Sequence, residues 1–288
     1  MTVRKMDNCH QDPSSGSTTE LYNICITVAT DVGAVLADYF SPLNKAKLMK
    51  SITTKTSPTD YATEADEKAE GRARQILRKL RPGDSVLGEE QGAQIGTTDL
   101  IWVIDPLDGT VNFVYGIDDF AVSVAVAERK NAENPDAAHG RVIAGAVYNP
   151  IKDELFSASV DQKPLLNGTE INVSNPKSLE TSLVGTGFGY SRERRDRQSL
   201  SLAKILPRVR DIRRMGAASL DLCSVACGRL DAYYEVGLKP WDQAAGLLIA
   251  GAAGAKSSEI MTAEDGPLLL AAAPNVYEEL LTTVKSSL

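Results

Sequence analysis

Trp102-Val-Ile-Asp105-Pro-Leu-Asp108-Gly-Thr110-Val-Asn112 is the stretch that orders the rest of this chain. The apolar run before it, Leu100 to Ile104, reads as a buried β-strand that ends directly in a carboxylate. Pro106 is expected to stop the strand ladder there and turn the chain. A second carboxylate follows at Asp108, and Gly109 and Thr110 leave backbone amides free to point at an anion. Either acid alone could simply cap a turn or a short helix. Two anions crowded at a buried strand end repel unless a cation lies between them, and carboxylates suit Mg²⁺ or Ca²⁺. A hard cation beside an amide-rich turn implies chemistry on a phosphate ester.

Composition narrows the field. A chain of 288 residues can bury a sizeable core, as one large domain or two packed lobes. Hydrophobic and charged contents of 43% and 24% are ordinary for a globular protein. The net charge of −7 argues against bulk electrostatic binding of nucleic acid. No run reads as a transmembrane helix or a signal peptide, so no membrane partner is expected and the cytoplasm is the expected location. Four cysteines, with Cys223 and Cys227 spaced to face one core, give no disulfide framework. The two histidines, His10 in a polar N-terminal stretch and His139 in a polar loop, sit in no motif. Ser-His-Asp, Cys-His and His-zinc catalysis are therefore poorly supported. An enzyme built from this sequence works with carboxylates and a metal.

Periodicity divides the chain. Residues 1–17 are polar and rich in Gly, Pro and Ser, and read as a disordered tail. Helical spacing from Leu21 to Tyr39 predicts a long amphipathic helix, and a second is predicted from about Glu64 to Leu80. Strand patterns at 100–105, 120–127, 141–147 and 153–158 predict hairpins of a largely antiparallel sheet, with an exposed connector at 130–140. Beyond about residue 180, strands at 182–186, 211–214 and 231–236 alternate with helices at 194–207, 217–228 and 241–253, and a helix from about 275 ends the chain. That alternation predicts an α/β lobe over 171–288, after an α+β lobe over 18–170.

Three further acidic segments bear on the site. Ser57-Pro-Thr-Asp60-Tyr-Ala-Thr63-Glu-Ala-Asp66 places Asp60 before a helix, where it could be an N-cap. Gly88-Glu89-Glu90 follows a short buried strand and could be a solvated pair of acids. Trp241-Asp242-Gln-Ala-Ala-Gly246 opens a helix of small residues behind a strand ending Tyr-Tyr-Glu235, and Asp242 could likewise be a cap. Five carboxylates converging without a basic partner would demand more than one divalent ion.

In order and spacing these segments resemble the motifs of the inositol monophosphatase family, part of a Mg²⁺-dependent, Li⁺-sensitive superfamily that includes fructose-1,6-bisphosphatase. The resemblance runs from about residue 20 to 255. It implies a layered α-β-α-β-α sandwich, usually a homodimer, that hydrolyses small phosphate monoesters with two or three Mg²⁺ ions. Carried onto this sequence, Glu89, Asp105 and the backbone carbonyl of Leu107 hold one ion, and Asp105, Asp108 and Asp242 a second. Glu89 helps hold a weaker third. Asp60 and Thr110 orient the attacking water, and the amides of Gly109 and Thr110 receive the phosphate. Gly216, Ala217, Ala218, Glu235 and Asp242, with Asp108, surround the substrate alcohol.

The chain departs from the family at Ala217, where Ser or Thr is usual, and at Ala252 to Ala255, where Glu-Ala-Gly-Gly is usual. The favoured substrate is myo-inositol monophosphate. Histidinol phosphate, NADP(H), fructose bisphosphate or a nucleotide 3′-phosphate are alternatives, as is a regulatory protein that keeps the fold to bind a macromolecule. Gly185-Thr-Gly187-Phe-Gly189 lacks a dinucleotide-binding context and reads as a strand-to-loop connection. Arg192, Arg194, Arg195 and Arg197 read as a solvated helix face.

Overall fold

Strand β5, Leu100–Asp108, is buried along its whole length, and the layers of the molecule are arranged around it. The computed structural model describes residues 16–41, 53–54, 61–129 and 139–288. The expected tail up to residue 15 and most of the 130–140 connector lie outside them. So does Asp60.

β5 has apolar side chains on both faces because it is covered on both. Trp102 and Ile104 face one core with residues of β6 (Ala121–Arg129) and β7 (His139–Asn149). Helices α1 (Thr18–Phe40) and α2 (Glu64–Leu80) close that core with Leu21, Val28, Val32, Ala69 and Leu77. Ile101 and Val103 face the opposite way, against α5 (Ala218–Ala226) and α6 (Pro240–Ala252) through Leu220, Cys223, Ala245 and Ile249. The other side of α5 meets a second sheet at Leu222, Val225, Tyr233 and Ala271. The far face of that sheet is covered by α4 (Arg192–Ile205) and α7 (Tyr277–Ser287) through Ile205, Leu280 and Val284. Five layers result, α-β-α-β-α, as the family resemblance implies.

Apart from the larger sheets, β1 (Thr53–Thr54) pairs antiparallel with β2 (Tyr61–Ala62). The first sheet adds β3 (Ser85–Gly88), β4 (Gly92–Gln94), β8 (Glu154–Ser159), β9 (Leu165–Leu166) and β10 (Thr169–Glu170), and its described strands run in the order β10-β9-β8-β7-β6-β5-β3-β4. Among the described strands of this sheet only the β3–β5 pair is parallel, so the expected antiparallel character holds. The second sheet runs β12-β11-β13-β15-β14, from β11 (Leu183–Thr186), β12 (Asp211–Arg213), β13 (Ala232–Val236), β14 (Lys256–Met261) and β15 (Pro267–Ala272).

Three expectations need correction. Pro106 does not end β5. The ladder to β6 is interrupted between Asp105 and Asp108, so the proline sits in an irregularity that needs no donor from it. His139 opens β7 rather than lying in a loop. Helix α1 does meet the length and composition of a membrane span, yet its apolar residues from Leu21 to Leu36 are packed into the first core. The hairpin β14–β15 was not expected at all.

Candidate functional site

The irregularity in β5 has a chemical consequence. It lets Asp105, Leu107 and Asp108 all reach one cavity of about 480 Å³ at the strand's end, also lined by Glu89, Gly109, Thr110, Gly216, Ala217, Ala218, Glu235 and Asp242. Each of these was singled out in the sequence, and they arrive from five places. Glu89 follows β3. Gly109 and Thr110 begin the short helix α3, Thr110–Tyr115, with Gly109 in the left-handed region at φ 94°. That turn admits glycine without strain, and a Cβ there would stand 3.0 Å from the Asp119 carbonyl. Residues 216–218 lead into α5, Glu235 lies on β13, and Asp242 lies in the first turn of α6.

Charge ties the acids together. Burial pushes the Asp105 carboxyl well above the usual carboxylate range, and the charges of Glu89, Asp108 and Asp242 push it further. Its Oδ1 accepts the Leu107 amide at 3.0 Å, which opposes the rise. Asp108 is pushed up to about 7, chiefly by burial, against the pull of three donors. These are the amides of Ala218 and Ser219 at 3.2 and 2.7 Å and the Ser219 hydroxyl at 2.5 Å. A carboxylate has about four lone-pair directions, so three donors leave Asp108 little spare capacity. Asp242 is also raised, by burial and then by Asp108.

The alternative readings of single acids divide. Asp242 Oδ2 does accept the Lys239 amide at 2.6 Å, so it serves the helix start while lining the cavity. Asp60 is not needed as a cap for α2, because Thr63 is the N-cap, its Oγ1 accepting the Ala65 amide at 3.1 Å. Glu235 accepts from the Tyr233 hydroxyl, not from Lys239. Burial raises its carboxyl, while Tyr233, Arg214 and Arg194 hold it down.

Several residues that position this site carried no role in the sequence reading. Thr110 Oγ1 lies 3.2 Å from Asp66 Oδ1 and 3.1 Å from the Leu107 carbonyl, both acceptors for its single proton. Asp66 is fixed in turn by the Thr63 amide and hydroxyl at 2.7 and 2.6 Å. Both residues belong to the Ser57–Asp66 stretch quoted above. Asn112 Nδ2 donates to the carbonyls of Asp119 and Met215, at 2.6 and 2.8 Å, and so pins the turn before Gly216. Glu70 is fully buried and accepts the amides of Glu90 and Gln91 at 2.7 and 3.1 Å. It also receives Arg74 Nε at 2.7 Å, and Arg74 donates on to the Gly92 carbonyl at 2.5 Å. This buried pair holds the turn that carries Glu89.

The glycines after β11 also find a purpose, since a Cβ at Gly187 would overlap the Glu235 carboxylate. Arg194 corrects the expectation of a solvated face. Ser191 caps α4, and Arg194, in the first turn, lines the cavity and donates to the Val236 carbonyl. Arg197 instead pairs with Asp265 on the outside.

Among the described residues, no three acidic, histidine or cysteine side chains are gathered tightly enough to enclose an ion as they stand. The acids ring the cavity and act on one another through charge. The donor set fits a hard divalent cation: carboxylate oxygens and a backbone carbonyl, with neither sulfur nor imidazole among the described residues that line the cavity.

Comparison with known proteins agrees with this architecture. The model of the inositol monophosphatase family matches residues 17–287. A Mycobacterium tuberculosis protein named inositol-1-monophosphatase SuhB is 42% identical over 246 residues, covering 82% of this chain and 81% of its own. A Pasteurella multocida protein named Nus factor SuhB is 36% identical over 273 residues, covering 93% and 97%. The crystal structure of the extragenic suppressor protein suhB from Bartonella henselae superposes with a TM-score of 0.81 at 32% identity, covering 94% of this chain and all of that one. The chain belongs to the inositol monophosphatase family.

Proposed function

We propose that this protein hydrolyses a small phosphate monoester in a Mg²⁺-dependent reaction, with myo-inositol monophosphate as the favoured substrate. One observation carries the reading: Glu89, Asp105, Asp108 and Asp242 line a single cavity, and the charges of the other three all raise the Asp105 carboxyl. Like charges crowded around one cavity repel, and cations between them offset that cost. Glu89, Asp105 and the Leu107 carbonyl would hold one Mg²⁺, and Asp105, Asp108 and Asp242 a second. A weaker third would rest on Glu89. Bound there, the ions supply a lowered water pKa and neutralise charge that builds on the phosphoryl and leaving oxygens.

The remaining residues orient. With its proton turned toward Asp66 and the Leu107 carbonyl, the Thr110 hydroxyl presents lone pairs that accept from the attacking water. Asp60, outside the described residues, would share that task. The amides of Gly109 and Thr110, at the start of α3, would receive phosphoryl oxygens. Gly216, Ala217 and Ala218 form the wall beside the leaving alcohol, and Glu235 accepts from its hydroxyls. A cytoplasmic homodimer completes the reading.

The Pasteurella relative's name, Nus factor SuhB, favours a second reading in which the chain binds a macromolecular partner. The full set of cavity acids supports hydrolysis as well, because partner binding alone requires none of them. The test is phosphate release with Mg²⁺ from myo-inositol 1-phosphate, histidinol phosphate, NADPH, fructose 1,6-bisphosphate and a nucleoside 3′-phosphate. The highest kcat/KM is expected for the inositol ester. A different best substrate would reassign the specificity, and no release from any would overturn hydrolysis.

A further inference from the structure

Helix α5 carries two polar side chains near its start that are almost wholly buried, Ser219 and Asp221. Ser219 is committed to Asp108. Asp221 is 2% exposed, and its Oδ1 has no hydrogen-bond partner among the described residues. It lines the same cavity as Glu235. Buried polar groups in folded proteins are almost always hydrogen-bonded, so an unanswered acceptor in the wall of a ligand cavity asks for a donor from the ligand.

The place of Asp221 identifies that donor. Asp221 lies on α5, whose Ala218 and Leu222 pack with Tyr233 of β13, the strand that carries Glu235, so it lines the cavity on the Glu235 side. Under the hydrolytic reading, on which this inference rests, that side holds the leaving alcohol. The wall combines two acids, Asp221 and Glu235, with two guanidinium groups, Arg194 and Arg214. The two guanidinium groups balance the charge of the two acids, so this wall does not call for a cationic ligand, and neutral hydroxyls find two acceptors there. We infer that Asp221 is a specificity residue that accepts a hydrogen bond from a hydroxyl of the leaving alcohol and, with Glu235, selects polyhydroxylated alcohols.

The test compares the full-length wild type with Asp221→Leu and Asp221→Asn on myo-inositol 1-phosphate and phenyl phosphate, both with Mg²⁺. For Asp221→Leu, the ratio of kcat/KM for the inositol ester to that for the phenyl ester should fall at least about tenfold, mainly through KM. Asp221→Asn keeps an acceptor oxygen and should lower the ratio by about two- to fivefold. The melting temperature of Asp221→Leu without substrate should be no lower than that of the wild type, because a buried unpaired carboxyl is removed. An unchanged ratio overturns the inference, even if both rates fall. If Asp221→Leu is too unstable to assay, an unchanged ratio in Asp221→Asn decides against it. A wild type that releases phosphate from neither ester overturns the hydrolytic reading instead, which separates the two failures.

Discussion

Ser219 holds Asp108 through two donors across 111 residues of sequence, its amide at 2.7 Å and its hydroxyl at 2.5 Å. The bond joins the end of β5 to the first turn of α5, so each side of the cavity fixes the other. Ser219→Ala should destabilise the protein by about 1.5–3 kcal/mol, the usual worth of a hydrogen bond to a charged group. Losing that donor should raise the Asp108 carboxyl further. The acidic limb of the kcat/KM profile should therefore move to higher pH, and an unmoved limb would show that Ser219 does not support the charged form.

The cavity acids also govern stability. In the protein without metal, Asp105, Asp108 and Asp242 have raised carboxyl pKa values, Asp108 near 7. A carboxyl with a raised folded pKa binds its proton more tightly when folded. Its contribution is complete below the unfolded pKa and is lost as pH rises through the folded one. In chelator, the melting temperature should fall between pH 5 and 8, and the increase conferred by Mg²⁺ should grow over the same interval. Thermal scans with and without chelator measure both. A chelated protein that becomes more stable toward pH 8 would contradict the mutual repulsion of these acids.

Glu70 is expected to act on metal affinity at a distance. Glu70→Gln keeps one acceptor oxygen where the Glu90 and Gln91 amides use two, and it leaves buried Arg74 without its counter-charge. The Mg²⁺ concentration for half-maximal rate should rise about tenfold, in the range typical of groups that orient metal ligands. A normal Mg²⁺ requirement in a destabilised variant would confine Glu70 to folding.

Millimolar Li⁺ should inhibit uncompetitively with respect to substrate. A small monovalent cation that replaces the ion held by Asp105, Asp108 and Asp242 after reaction would trap phosphate. Steady-state rates at saturating substrate and limiting Mg²⁺ measure this, and insensitivity there counts against the second ion site.

The main helices and strands were legible because each buried face repeats at a regular period, whereas their five-layer order came from the family resemblance. Leu100 to Ile104 is apolar at every position, as a strand covered on both sides must be. The passage of β5 through Pro106 was not legible, since it depends on β6 leaving the proline's position unpaired. Hairpin β14–β15 escaped because Lys256–Met261 is an exposed edge strand with little apolar signal, and the run of β15 fits a buried helix as well as a strand. The cavity acids stood in motifs, but the bond from Glu70 to the Glu89 turn spans about twenty residues and leaves no local pattern. Asp221 did leave one. With Ala217 and Val225 it forms an i, i+4 stripe that the other two positions make apolar, and an acid there has to be explained.

The most direct test of the central claim is phosphate release from myo-inositol 1-phosphate by the wild type and Asp105→Asn, each in chelator and in saturating Mg²⁺. Asp105 alone is assigned to both principal ions, and its exchange for Asn preserves shape while removing charge. Release by the wild type should be absent in chelator and return with Mg²⁺, and Asp105→Asn should remain at least about a thousandfold slower in Mg²⁺ while melting as a folded protein. Release in chelator, or an Asp105→Asn rate within about tenfold of wild type, would contradict hydrolysis by a metal site built on Asp105.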